Sequence, residues 1–247
     1  MTEVEVESVE YIEEETEVVN FECDPHHLYF SNNILSHNCD SKYALTGKEW
    51  VKYTPLELYG KILTKTEGTA NTIVFTGGEP ILQLRTEKGI ELLKRFEKYT
   101  QNYNIEIETN GILAKDIINI DEEIYSMYMQ YNISPKFWSD STFNWEEHYL
   151  TQDFRRLCYH LNDIECNRQY KFVLERDEKR QDCIDNILKL CSYNDIDYTD
   201  VYIMSEGKTR DEQTYEQMQI DVDFCLKYGF NFTPRLHILI WDQKRGV

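Results

Sequence analysis

The first 41 residues contain neither lysine nor arginine. A secretory signal or an organelle transit peptide opens with basic residues, so this acidic start argues against both. The chain also lacks any apolar run near the roughly 20 residues that a helical membrane span needs. These two absences lead us to expect a soluble, cytoplasmic protein without a membrane partner. The seven cysteines, Cys23, Cys39, Cys158, Cys166, Cys183, Cys191 and Cys225, contain no pair at CxxC spacing. Taken alone they hold no complete metal site, and in a reducing compartment most are expected as buried thiols. No internal repeat and no low-complexity linker interrupts the 247 residues. Basic charge is scarce overall, and a formal charge of −19 repels phosphate backbones, which disfavours a nucleic-acid partner.

What is present is unevenly distributed. Residues 1–38 hold nine Glu and one Asp, about half of the acidic excess, and this asymmetry marks a boundary before Cys39. Upstream, Val4, Val6, Val9 and Ile12 stand among Glu3, Glu5, Glu7 and Glu10, a near-alternation expected of strands. That piece is too short to bury a core of its own and should need a partner. Downstream, strand and helix patterns alternate. In YTPLELYGKILTK, Thr54 is placed to cap a helix with Pro55 at its first position. TIVFTGGEP reads as a buried strand ending in a glycine turn, TEKGIELLKRFEKY as a helix, and NIEIETNG and MYMQYNISPK as strands with sharp stops. YKFVLE, VYIMSEG and FNFTPRLHILIW read as further strands, separated by helices near residues 150–163, 178–192 and 210–228. Repeated βα units predict a parallel sheet with its chemistry at the carboxyl ends of the strands.

One junction has chemistry of its own. In SHNC, the Asn38 side-chain amide can attack its own carbonyl and cut the chain, provided an acid–base neighbour assists. His37 is adjacent, Cys39 offers a thiolate that can take over an acyl group, and His27 offers a second acid–base group. The stretch VNFECDPHHLYFSNNILSHNC resembles the C-terminal blocks of an intein. The resemblance implies that Asn38 cyclises, His37 assists, His27 tunes the transfer, and Cys39 begins the flanking protein. No room remains upstream for the N-terminal half, so a split intein is expected. Residues 1–38 would then be a C-terminal fragment that splices in trans with a complementary chain, whose basic charge would steer the pairing.

From Cys39 onward, CDSKYAL, VFTGGEP, IETNG, SPK and the RLHILIW tail, in that order, resemble the radical S-adenosylmethionine (SAM) superfamily, in particular 7-carboxy-7-deazaguanine synthases. The resemblance implies an α/β fold for residues 39–247: a partial (βα) barrel of parallel strands, preceded by the small all-β intein fragment. It implies a [4Fe–4S] cluster held by a CxxxCxxC motif whose last cysteine is Cys39, so the first two would come from the partner chain. SAM would be bound by Gly77, Gly78, Glu79, Thr109, Asn110, Ser134 and Lys136. Asp40 and Ser41 would lie beside the cluster, with Mg²⁺ near Ser41. Arg235 and His237 would meet an anionic, carboxylated pterin. The implied reaction converts 6-carboxy-5,6,7,8-tetrahydropterin to 7-carboxy-7-deazaguanine, by a homodimer formed after splicing. The alternatives are another radical SAM enzyme, such as a glycyl-radical activase, or an inactive fragment carrying an intein remnant. His148 and His160 are expected on helix surfaces, and Trp138, Trp145 and Trp241 in packing roles.

Overall fold

A computed structural model describes residues 23–24, 27–28, 53–66, 72–76, 79–99, 104–124, 129–137, 143–163, 167–207 and 209–242. His37, Asn38, Cys39, Asp40, Ser41, Gly77, Gly78, Trp138 and Cys166 lie outside these residues. Near the start, β1 (Cys23–Asp24) pairs antiparallel with β2 (His27–Leu28), and His27 faces Asp24 in the register.

Among the described residues, the main body is one open sheet of six strands. These are β3 (Thr72–Phe75), β4 (Asn104–Thr109), β5 (Met129–Ile133), β6 (Asn167–Leu174), β7 (Val201–Ser205) and β8 (Asn231–Phe232). They lie side by side in chain order and every pairing is parallel. Each crossover carries at least one helix, as parallel neighbours require. The α/β class and the parallel strand run expected from the sequence are observed.

The helices are α1 (Pro55–Thr66), α2 (Ile81–Leu84), α3 (Glu87–Tyr99), α4 (Ala114–Glu123), α5 (Trp145–Tyr149), α6 (Gln152–Asp163), α7 (Arg180–Asn194), α8 (Tyr215–Tyr228) and α9 (Leu236–Trp241). Local chemistry explains their starts. Thr54 Oγ1 accepts from Glu57 N at 3.3 Å while Glu57 Oε2 accepts from Thr54 N at 2.8 Å, a reciprocal cap for α1. Thr86, Thr151 and Thr214 likewise accept from backbone N–H groups in the first turns of α3, α6 and α8. At its other end α8 stops at Gly229, whose φ of 78° suits a left-handed cap.

Strand alternation separates two faces. Ile73, Phe75, Ile105, Ile107, Tyr131, Ile133, Tyr170, Phe172, Val201 and Ile203 are essentially inaccessible to solvent and form the core. Opposite them, the rows Val74–Glu106–Gln130, Glu108–Asn132–Gln169 and Lys171–Tyr202–Asn231 run across the sheet. Most of these residues are half-buried. A parallel sheet covered on both faces would show unbroken apolar runs. TIVF therefore has one buried face, where its composition suggests two.

The RLHILIW tail departs from the strand expected of it. After β8 the chain passes Pro234, Leu236 N donates to Pro234 O at 2.9 Å, and LHILIW forms α9. A short apolar run carries no decisive period, and the proline removes a ladder donor at the point where a strand would continue. Within α9, Ile238 is buried while Leu236 and Ile240 are exposed. The histidines depart too: His160 Nε2 lies 2.9 Å from Asp121 Oδ2 in a half-buried pair between α6 and α4, and His148 is half-buried and stacks on Phe143. Trp145 packs edge-on against Phe137 as expected, whereas Trp241 is 41% exposed. No helix among the described residues is long and apolar enough to cross a membrane.

Candidate active site

The carboxyl ends of β3 and β4 meet at one acidic side chain, and the end of β5 is tied to them through Thr109. Glu79 follows β3 and is 7% exposed. Its Oε1 accepts from Thr109 Oγ1 at 2.6 Å and from Ile81 N at 3.3 Å, and its Oε2 accepts from Asn110 N at 2.9 Å. Burial pushes the Glu79 pKa up, and the three hydrogen bonds oppose that shift without cancelling it. Thr109, fully buried at the last position of β4, also accepts from Gly111 N at 3.1 Å. Thr109 O accepts from Ser134 N at 2.8 Å, which ties the end of β4 to the exit of β5.

The turn after β4 is built for this position. Asn110 Oδ1 accepts from Ile112 N at 2.8 Å, a side-chain turn that asparagine favours. Gly111 has φ +80°. A Cβ there would come within 2.8 Å of Ile133 Cγ2 and 2.9 Å of Phe154 Cε2, so the turn has room only for glycine. Beyond β5, Lys136 N donates to the Tyr149 hydroxyl at 3.3 Å. Between β3 and β4, Thr76 Oγ1 donates to Glu108 Oε2 at 2.6 Å on the polar face of the sheet.

A second cluster occupies the ends of β6, β7 and β8. Arg176 Nη2 donates to the carbonyls of Glu206 and Glu212. Gln213 Nε2 reaches the carbonyls of Ser205 and Glu206 at 3.2 Å and 3.0 Å. Arg235 Nη1 donates to Gly207 O at 2.9 Å. These donors shape the loop after β7. Beneath it, Ser205 Oγ donates to the fully buried Asp221, which also receives Arg180 Nη1 at 2.6 Å.

Of the residues singled out from the sequence, Glu79, Thr109, Asn110 and Ser134 are linked directly, and Lys136 lies two residues beyond Ser134. Arg235 belongs to the second cluster, and His237 is in the first turn of α9. Glu108 stands out in the sequence only by its place at a strand end, and Thr76, Tyr149, Arg176 and Gln213 carry no such mark. Tyr149 sits in a short helix without any motif, and its relevance arises only from where α5 packs.

The strand ends supply chemistry suited to a zwitterionic adenosyl amino acid. Among the described residues Glu79 Oε2 accepts one hydrogen bond, from Asn110 N, and so retains acceptor capacity for an ammonium, while the Asn110 amide, Ser134 hydroxyl and Lys136 ammonium suit hydroxyls and a carboxylate. An iron–sulfur cluster finds no such fit among the described residues, where no group of three His, Cys, Asp or Glu could hold a metal. Burial pushes the thiols of Cys158 and Cys191 up to about 12 and those of Cys183 and Cys225 up to about 11. Iron needs thiolates, and these positions disfavour them. They are the buried core thiols expected from the sequence.

No family model matches the chain. It is 25% identical over 180 residues to a 7-carboxy-7-deazaguanine synthase of Halobacterium salinarum, an alignment covering 70% of this chain and 66% of that protein. The fold is similar to that of Streptococcus suis SuiB bound to S-adenosylmethionine, with 17% identity and a TM-score of 0.50, over 77% of this chain and 44% of SuiB. It is likewise similar to native anSMEcpe with bound AdoMet and a Kp18Cys peptide, with 15% identity and a TM-score of 0.50, over 83% of this chain and 61% of that one. The chain therefore spans about two thirds or less of the length of these proteins. Among the described residues its open sheet of six parallel strands has the α/β fold of these structural neighbours, and its sequence is homologous to a 7-carboxy-7-deazaguanine synthase.

Proposed function

We propose that residues 39–247 form most of a radical SAM 7-carboxy-7-deazaguanine synthase, and that residues 1–38 are the C-terminal fragment of a split intein. The observation that carries the enzymatic half is that the Glu79 carboxylate of TGGEP is bonded by Thr109 and Asn110 of ETNG, with Ser134 of SPK tied to Thr109, within a chain similar to such a synthase over 70% of its length. When bound, SAM with a three-cysteine [4Fe–4S] cluster supplies a radical for hydrogen abstraction from the substrate.

The chain's own residues bind and orient. Gly77 and Gly78 let the backbone approach the methionine part of SAM, and Glu79 accepts from its ammonium. Asn110, Ser134 and Lys136 meet the ribose and carboxylate. Thr109 holds Glu79 at the correct height. Arg235 and His237 hold the carboxylate of 6-carboxy-5,6,7,8-tetrahydropterin, and Mg²⁺ at Ser41, beside Asp40, orients it. The product is 7-carboxy-7-deazaguanine, with ammonia lost. The active form is a cytoplasmic homodimer.

Splicing is the second half of the proposal. The complementary chain brings the first two cluster cysteines, and Cys39 serves first as splicing nucleophile and then as iron ligand. Asn38 cyclises with help from His37, and His27 tunes the acyl transfer. Support comes from the charge break at Cys39 and the SHNC junction. The absence of any cleavage site before Lys42 makes splicing visible by mass spectrometry. An unspliced chain gives one tryptic peptide from Met1 to Lys42. A spliced chain gives foreign residues, two cysteines among them, directly before Cys39. The activity is tested by incubating the ligated protein with SAM, a reductant and the pterin. Formation of 7-carboxy-7-deazaguanine is expected. Consumption of SAM with the pterin untouched would instead point to a different radical reaction.

A further inference from the structure

The segment Ser134-Pro135-Lys136 uses up all of its backbone donors within the protein. Ser134 N donates to Thr109 O at 2.8 Å, Pro135 has no N–H, and Lys136 N donates to the Tyr149 hydroxyl at 3.3 Å. A ligand at this strand end therefore meets only carbonyls and the two side chains. The direction of those side chains depends on how firmly the segment is held at both ends. One end is tied by β4. The other is tied by Tyr149, next to Phe137, whose ring packs on Trp145 and Phe172.

Tyr149 is itself held from three sides. It is fully buried at the end of α5. Its ring packs edge-on against Phe154 at 5.2 Å, and Phe154 is one of the two side chains that close the space over Gly111. Its carbonyl accepts from Asn194 Nδ2 at 3.0 Å, and Asn194 on α7 is also fully buried. One phenol thus reaches the SPK segment and, through Phe154, the ETNG turn. Burial above all keeps the hydroxyl protonated, donation from Lys136 opposes this, and the Glu79 charge adds to it.

We infer that Tyr149 is a positioning residue for adenosyl-ligand binding: its hydroxyl, by accepting from Lys136 N, sets the Ser134–Lys136 segment that contacts the ligand. The inference rests on the SAM-binding reading of this sheet edge. It extends the site to a residue in a helix with no sequence motif, one that does not itself touch the ligand.

The test compares the ligated protein, its cluster loaded, with Tyr149→Phe, which keeps the ring and deletes the acceptor, and with Tyr159→Phe. Tyr159 is a surface residue whose hydroxyl bonds Arg155 and serves as a control. Two readouts are taken: affinity for SAM by calorimetric titration, and hydrogen exchange at the Lys136 amide. Tyr149→Phe is expected to weaken SAM binding about fivefold, the factor corresponding to one net hydrogen bond. Exchange at Lys136 is expected to accelerate while the Ser134 amide stays protected. Tyr159→Phe is expected to change neither. A purely structural loss would raise exchange at both amides together with a fall in Tm, and that result overturns the inference. Unchanged affinity, unchanged protection at Lys136, or an equal effect from Tyr159→Phe also overturns it. If the unmutated ligated protein binds no SAM, the reading of the site falls, and the inference falls with it. If it binds SAM and only the Tyr149 arm fails, the reading stands and the role of Tyr149 does not.

Discussion

The Thr109 hydroxyl donates to the Glu79 carboxylate across 2.6 Å, although the two residues lie 30 positions apart on different strand exits. The bond is buried, so its loss has consequences both for stability and for the shape of the sheet edge.

Glu79 gives a pH signature whose sign can be worked out. Burial raises its pKa in the folded chain above the ordinary value of 4.5. The folded form thus keeps this proton at pH values where the unfolded chain has lost it. The stability this contributes is complete below 4.5 and is lost as pH rises through the raised folded value. Glu79→Gln removes the titration. Urea unfolding of both proteins should show the stability of the unmutated chain, relative to the variant, declining as pH rises above 4.5. A difference that stays flat with pH would contradict the assignment.

Gly111 and Gly60 should respond oppositely to alanine. Gly111 has φ +80° and two side chains within 3 Å of an added Cβ, so Gly111→Ala should cost more than about 1 kcal/mol. Gly60 lies inside α1 with nothing within 4 Å of the added atom, so Gly60→Ala should stabilise by about 0.5–1 kcal/mol. Thermal melts of the two variants check the pair, and shifts of the same sign would contradict this account.

Asp221 is a buried charge with defined partners, Arg180 at 2.6 Å, Ser205 at 2.5 Å and Gln217 at 3.1 Å. Asp221→Ala leaves the Arg180 guanidinium uncompensated near the end of β7 and should cost about 3–5 kcal/mol. A loss under about 1 kcal/mol in denaturant titration would show that Arg180 finds another partner.

The thiols of Cys158, Cys183, Cys191 and Cys225 should resist alkylation in the folded chain. Burial hides them, and their raised pKa values leave little thiolate near neutral pH. Iodoacetamide labelling read peptide by peptide should modify these four only after denaturant is added. Rapid native labelling of Cys158 would mean that α6 opens.

Much of the sheet is legible in the sequence, because hydrophobic period and turn chemistry are local. TIVF, NIEIET and VYIMS alternate or cluster apolar residues, and each ends on a glycine-, asparagine- or serine-bearing turn. Thr54-Pro55 opens α1 as its types dictate. The same local reasoning mistakes LHILIW for a strand, because six apolar or near-apolar residues carry no decisive period. It passes over α4 and α5 as well. α5 is only five residues long, so its helicity owes more to packing than to propensity.

The sequence by itself determines the charge break before Cys39, the βα rhythm and the identity of the residues that end each strand, because these depend on neighbours in the chain. Tertiary structure alone decides what those residues do to one another. It turns Glu79 from an acid beside a proline into a buried acceptor of three hydrogen bonds. It brings Tyr149 from an unmarked helix to the Lys136 amide. It makes one face of the sheet core and the other polar. Contacts between distant segments depend on how whole elements pack, and no short stretch of sequence encodes that.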